Sequence, residues 1–282
     1  MRRSLLLLLA LTAACSRPSA ASGPPEAAEV AALRASVAAS SQAYDTVRSL
    51  SDEAGPRLSG SAGNKVAVAW ALRALAAAGL THVHAEPVKV PHWERGEEHG
   101  ELIEPSSQPL ALTTLGGSGG TPPEGIEAEV IELPSLDALD KADAASVRGK
   151  IVFVYVKMDR TVDGSGYGRA VGPRTDGAIH AARLGAAALV IRSVGTDGNR
   201  APHTGAMGYD DAVPKIPAAA LAAPDADVVH RLLAAGKRVR MRLVLGARTL
   251  PDADSANGMG DVEGSGAPGE VVLLGAHLDS WD

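Results

Sequence analysis

Apolar residues recur along this chain at two periods, and the switches between them predict its elements. Between residues 61 and 80, Val68, Leu72 and Leu75 return at steps of four and three, the repeat of one helix face. Ser61 or Asn64 can cap that helix and Gly79 can end it. Residues 31–55 also carry helical spacing, with Leu33, Val37 and Ala38 on one side. The stretch THVHAEPVKVPHW, residues 81–93, is extended, and Pro87 and Pro91 suit a sheet edge. GELIEPSSQPLALTTL continues in the same style, up to the dense loop signal GGSGGTPPEG at residues 116–125.

Beyond that loop, short strands alternate with helices. IEAEVIEL predicts a strand, SLDALDKADAASV a short helix, and IVFVYV a buried strand. TDGAIHAARLGAAALVI reads as a helix, a glycine turn and a strand; PKIPAAALA is extended. Pro224 opens a further helix, which Gly236 closes. In KRVRMRLVL, Arg238, Arg240 and Arg242 alternate with Val239, Met241 and Leu243, so the charges lie on a solvated strand face. The chain ends on VVLLGAHLDSWD, an apolar run that predicts a strand inside a parallel sheet.

This order implies an α/β protein in which one domain interrupts another. The outer domain would take residues 31–125 and 248–282, and the inserted domain residues 126–247. The insert carries its own alternating elements and is expected to fold alone. The last strand would lack neighbours on its edge and faces, a pattern that favours association.

Composition narrows the picture. Hydrophobic residues make up 45% of the 282 positions but aromatics only 3%, so the core should be aliphatic. A net charge of −6 gives no footprint for nucleic acid. The start, MRRSLLLLLALTAAC, has two arginines and an apolar stretch too short to span a bilayer, which reads as an export signal over residues 1–15. Leu11-Thr12-Ala13-Ala14 before Cys15, the only cysteine, resembles a bacterial lipobox, with Thr12 where leucine is commonest. Cys15 is therefore the candidate lipidation site, residues 16–30 a flexible tether, and lipid the only membrane attachment. An ordinary secretory signal cleaved near residues 19–22 is the alternative. Either way the protein is exported to the cell envelope or beyond.

Several motifs suggest chemistry and lack the context for it. GGSGG at 116–120 matches a nucleophile elbow around Ser118, but TPPEG follows where a helix is required. GSGYG at 164–168 misses dinucleotide spacing by one residue and shows no helix start, so it reads as a loop. His180, His203 and His230 have no second ligand at metal spacing. His277 and Asp279 differ from these. Two apart in an extended chain, they project from one face. A zinc-bound imidazole usually donates its other N–H to a carboxylate, and Gly275 leaves room for close approach. Zinc needs at least three protein ligands, so this pair is at most part of a site.

The ordered set of stretches carries more weight than any motif. GPRLSGS at 55–61, the Trp70 helix ending in AAGL, EPVKVPHWERGEE at 86–98, LGGSGGTPPEGI and VVLLGAHLDSWD together resemble the co-catalytic di-zinc exopeptidases. That is the group containing carboxypeptidase Q and many secreted bacterial aminopeptidases. VRGKIVFV and AARLGAAALVIRS resemble its inserted protease-associated domain. The likeness runs from about Tyr44 to Asp282. It implies an incomplete zinc-exopeptidase α/β sandwich and two zinc ions in the complete enzyme. His277 would then be one metal ligand and Asp279 the catalytic-centre acid that orients it. Ser280, Trp281 and Asp282 would belong to the motif without binding metal. Short peptides are the implied substrates, cleaved by metal-activated water. The bridging aspartate, the Glu-Glu pair with its general base, and the remaining ligands do not occur in this stretch, so the 282 residues alone are expected to be inactive. The alternative is a non-catalytic surface lipoprotein that uses the inserted domain for binding.

Overall fold

Burial on both faces decides which apolar runs become central strands. The computed structural model describes residues 28–264, 266 and 269–281. The expectations for residues 1–15, Cys15 and most of the tether lie outside the described residues. Ala28–Val30, expected in the tether, form the first turn of helix α1 (Ala28–Ala38). The chain divides into two units, one ending at Ser49 and the other starting at Leu50. Of the first, α1 and the start of α2 (Gln42–Ala54) are described. Leu33 and Val37 are exposed on α1.

The second unit contains helix α3 (Ala62–Ala77), which Ser61 caps by accepting a 3.1 Å hydrogen bond from the Asn64 amide. It packs on a long two-stranded ribbon of β1 (Thr81–Glu94) and β10 (Arg248–Asp261), paired antiparallel from Thr81–Asp261 to Glu94–Arg248. The strands between those two form a separate sheet. Gly246 N–H donates to Glu97 O at 2.8 Å, so the chain leaves and rejoins the ribbon at one point. There Gly96 has φ +71°, and a Cβ on it would collide with the Gly246 backbone.

That sheet has eight strands in the order β3-β2-β9-β5-β6-β7-β8-β4. Its middle, β5 (Ile126–Leu133), β6 (Ile151–Val154), β7 (Ala188–Arg192) and β8 (Ala218–Leu221), is parallel. On one side β9 (Arg240–Leu245), β2 (Glu98–Glu104) and β3 (Gln108–Leu110) continue it antiparallel; on the other β4 (Leu112–Thr114) closes it. The sheet therefore reaches upstream of residue 126, where the inserted domain was expected to begin. β5, β6 and β7 fall where the sequence predicts strands. Val239, Met241 and Leu243 are buried, and Arg242 between them is exposed.

Alternation along the central strands feeds two cores. Ile151 and Phe153 face one layer, with Ala226 and Val229 from α9 (Ala223–Ala234). Val152 and Val154 face the other, with Leu139 of α4 (Leu136–Asp140), Val147 of α5 (Ala144–Val147), and Ala178 and Ala181 of α8 (Gly177–Arg183). Where one helix was expected over SLDALDKADAASV there are two, because Asp143 caps a second start by accepting from Ala145 N–H at 3.2 Å. The GSGYG loop is also corrected. It opens a helix, α6 (Ser165–Ala170), continued by α7 (Gly172–Thr175). Gly166 allows this, since any side chain there would strike the carbonyl of Asp159.

The largest departure is at the C-terminal stretch. Val271–Leu274 form no strand and are 77–89% exposed. A Cβ on Gly275 meets nothing within 4 Å. No sheet edge among the described residues pairs with this run.

Candidate functional site

The His277 segment is held by a loop more than two hundred residues upstream. Residues 55–61 run from the end of α2 to the cap of α3. Buried Asn64 fixes this loop, since its Oδ1 accepts from Gly60 N–H at 3.3 Å and from the Ser255 hydroxyl of β10 at 2.7 Å. Loop, helix and ribbon thus form one platform.

Residues 278–280 lie along that platform. Arg57 Nε donates to the Leu278 carbonyl at 2.8 Å, and Arg57 N–H donates to Ser280 Oγ at 3.2 Å. Ser280 N–H donates back to Arg57 O at 3.3 Å. Between these bonds the Ser59 hydroxyl donates to Asp279 Oδ2 at 3.0 Å, and Asp279 Oδ1 pairs with His277 Nδ1 at 2.9 Å. Burial pushes the Asp279 carboxyl up, but hydrogen bonds from His277 and Ser59 and the charge of His277 outweigh it and hold it below the ordinary aspartate range. An ionised Asp279 accepts, so Nδ1 carries the proton, and in the neutral imidazole Nε2 then offers its lone pair. The His277 side chain is 92% exposed.

The two residues therefore meet, but a sheet is not what brings them together. Two-residue spacing lets His277 reach Asp279, and Arg57 and Ser59 hold residues 278–280 in place. Sequence reasoning gave neither of those residues a role. Their one signal was the GPRLSGS stretch, whose serine and arginine had no local partner to suggest.

The other candidates sit apart. Ser118 is buried, its hydroxyl donating to Gly119 O at 3.2 Å, a position no substrate reaches. His180 pairs with Asp140, His203 Nε2 with Asp197 at 2.9 Å, and His230 Nδ1 with Glu132 at 2.8 Å. Among the described residues no three His, Cys, Asp or Glu are grouped to hold a metal ion. His277 fits one ligand position, with one nitrogen on a carboxylate and the other available. One imidazole cannot retain a zinc ion by itself.

No protein-family model matches the chain. Human carboxypeptidase Q is 44% identical over 247 residues, 86% of this chain and 50% of that protein. Mouse carboxypeptidase Q is 43% identical over 241 residues, with the same coverage. The crystal structure of a peptidase M28 precursor from Shewanella amazonensis superimposes with a TM-score of 0.86 at 45% identity, covering 90% of this chain and 58% of that one. The chain spans about half the length of the curated relatives it matches. Identity at this level over most of the chain, on a shared fold, places the chain in the M28 peptidase family together with carboxypeptidase Q.

Proposed function

We propose that these residues serve a zinc-dependent exopeptidase that removes a terminal residue from short peptides. One observation carries the reading. The Nδ1 of His277 rests on an ionised carboxylate while Nε2 is available, the state in which a histidine ligates zinc, in a chain 44% identical to human carboxypeptidase Q over 86% of its length. His277 is one ligand and Asp279 the acid that orients it; the other ligands and the general base come from residues other than those described. Zinc, when bound, supplies an activated water for attack on the peptide carbonyl.

The sheet between the ribbon strands is the inserted protease-associated module in this reading. The crossing of Gly96 and Gly246 supports bounds near residues 97 and 247. Export, with lipid attachment at Cys15, completes the proposal.

The test is metal content and hydrolysis of N- and C-terminally blocked dipeptides by the full-length protein, with and without His277→Ala. The substitution should remove bound zinc and lower kcat/KM by more than the ~10–100-fold typical of losing a supporting partner. Full zinc occupancy and unchanged turnover in the variant would overturn the reading, as would zinc-free protein that binds peptides without cleaving them.

A further inference from the structure

Resting on that reading, we propose that Ser59 and Arg57 are positioning residues that set the rotamer of Asp279 and through it the tautomer of His277. A carboxylate in water turns freely about its Cβ–Cγ bond and offers either oxygen. Here Ser59 takes Oδ2 at 3.0 Å, which leaves Oδ1 for the imidazole at 2.9 Å. The selection works only while the backbone around Asp279 stays in place. Arg57 supplies that restraint from both sides, through Leu278 O before the aspartate and Ser280 after it.

Val271–Leu274, ahead of His277, are exposed and pair with no strand among the described residues, so they impose no orientation. The platform below is rigid, since buried Asn64 ties Gly60 to β10 and Ser61 caps α3. Orientation therefore passes from loop 55–61 to Asp279 and then to His277. Packing alone would need neither a hydroxyl at residue 59 nor a guanidinium at 57. A donor chain ending on a carboxylate needs both.

The experiment uses the full-length protein labelled with ¹⁵N-histidine. Metal is removed with chelator and the spectra are recorded at increasing pH until they show neutral imidazole. Wild-type His277 should be almost wholly the Nδ1–H tautomer. In Ser59→Ala the Nε2–H form should become comparably populated, and zinc affinity measured against a competing chelator should fall ~10–100-fold. Ser59→Thr, which keeps the hydroxyl, should restore both while thermal unfolding stays unchanged across the set. Arg57→Lys keeps the charge but loses the Nε–Leu278 bond; it should raise amide exchange at Ser280 and reproduce part of the tautomer change. A Ser59→Ala protein with wild-type tautomer and wild-type zinc affinity overturns the positioning role. The tautomer is read without metal, so a wild-type protein that binds no zinc sinks the peptidase reading and leaves this test standing.

Discussion

Two apolar tetrads in this chain look alike and end differently. Ile-Val-Phe-Val at 151–154 is a central strand no more than 1% exposed; Val-Val-Leu-Leu at 271–274 forms no strand and is 77–89% exposed. Both match the pattern of a buried parallel strand. The difference lies in their neighbours. Ile151–Val154 have β5 on one edge, β7 on the other, α9 on one face, and α5 and α8 on the opposite face. Val271–Leu274 have no pairing strand among the described residues. A hydrophobic run states a requirement for burial, and tertiary structure decides whether it is met.

The sharpest way to break this comparison is to strip neighbours from the first tetrad's sheet. A fragment of residues 97–247 keeps all eight strands, whereas residues 126–247 lose β2, β3 and β4. The shorter piece also loses Leu102, Leu110, Leu112 and Leu115, all buried. Each contributes roughly 1.5–3 kcal/mol, against a typical total stability of ~5–15 kcal/mol. The longer fragment should melt cooperatively by circular dichroism and the shorter should show no cooperative transition. Equal melts would mean that the antiparallel strands are dispensable.

Single substitutions sharpen it further. Phe153 is the sole phenylalanine and wholly buried, so Phe153→Ala should cost ~3–5 kcal/mol in urea unfolding. Leu273→Ala, at an exposed site, should change the midpoint by less than ~0.5 kcal/mol. A large loss at Leu273 would show that its segment packs in solution.

What could be read from the sequence follows from the same distinction. Local rules suffice where one element answers them. Period-two alternation predicted Val239, Met241 and Leu243 inward and the arginines outward, and Ser61 and Gly79 bound a helix as their chemistry requires. Such rules failed where a remote partner decides. IVFV and VVLL could not be told apart without knowing which strands flank them. Nor could the sequence assign residues 98–114 to the same sheet as residues 126–245, since β9 returns from far downstream to pair with β2. The candidate site divides likewise. His277 and Asp279 were legible as neighbours in sequence, while Arg57 and Ser59 lie more than two hundred positions away.

The smallest effect concerns the aspartates that pin each region. Asp227 of α9 accepts from the Tyr155 hydroxyl just past β6 at 2.8 Å and from Arg192 at the end of β7 at 3.2 Å. Burial raises its carboxyl, but these hydrogen bonds, together with the charges of Arg192 and Lys157, outweigh it and leave it below the ordinary aspartate value. A carboxyl with a lowered folded-state pKa stabilises the fold above its unfolded value, near ~3.9, and that stabilisation is lost as pH falls through the folded value. Because Asp227 is partly exposed, the contribution should not exceed ~1 kcal/mol. In urea titrations the wild-type protein should therefore exceed Asp227→Asn in stability at pH 6, with the gap closing as pH drops below ~4. A gap that stays constant with pH would mean that the sheet's packing holds α9 unaided, and that the module needs no polar clamp of the kind on which the His277 segment depends.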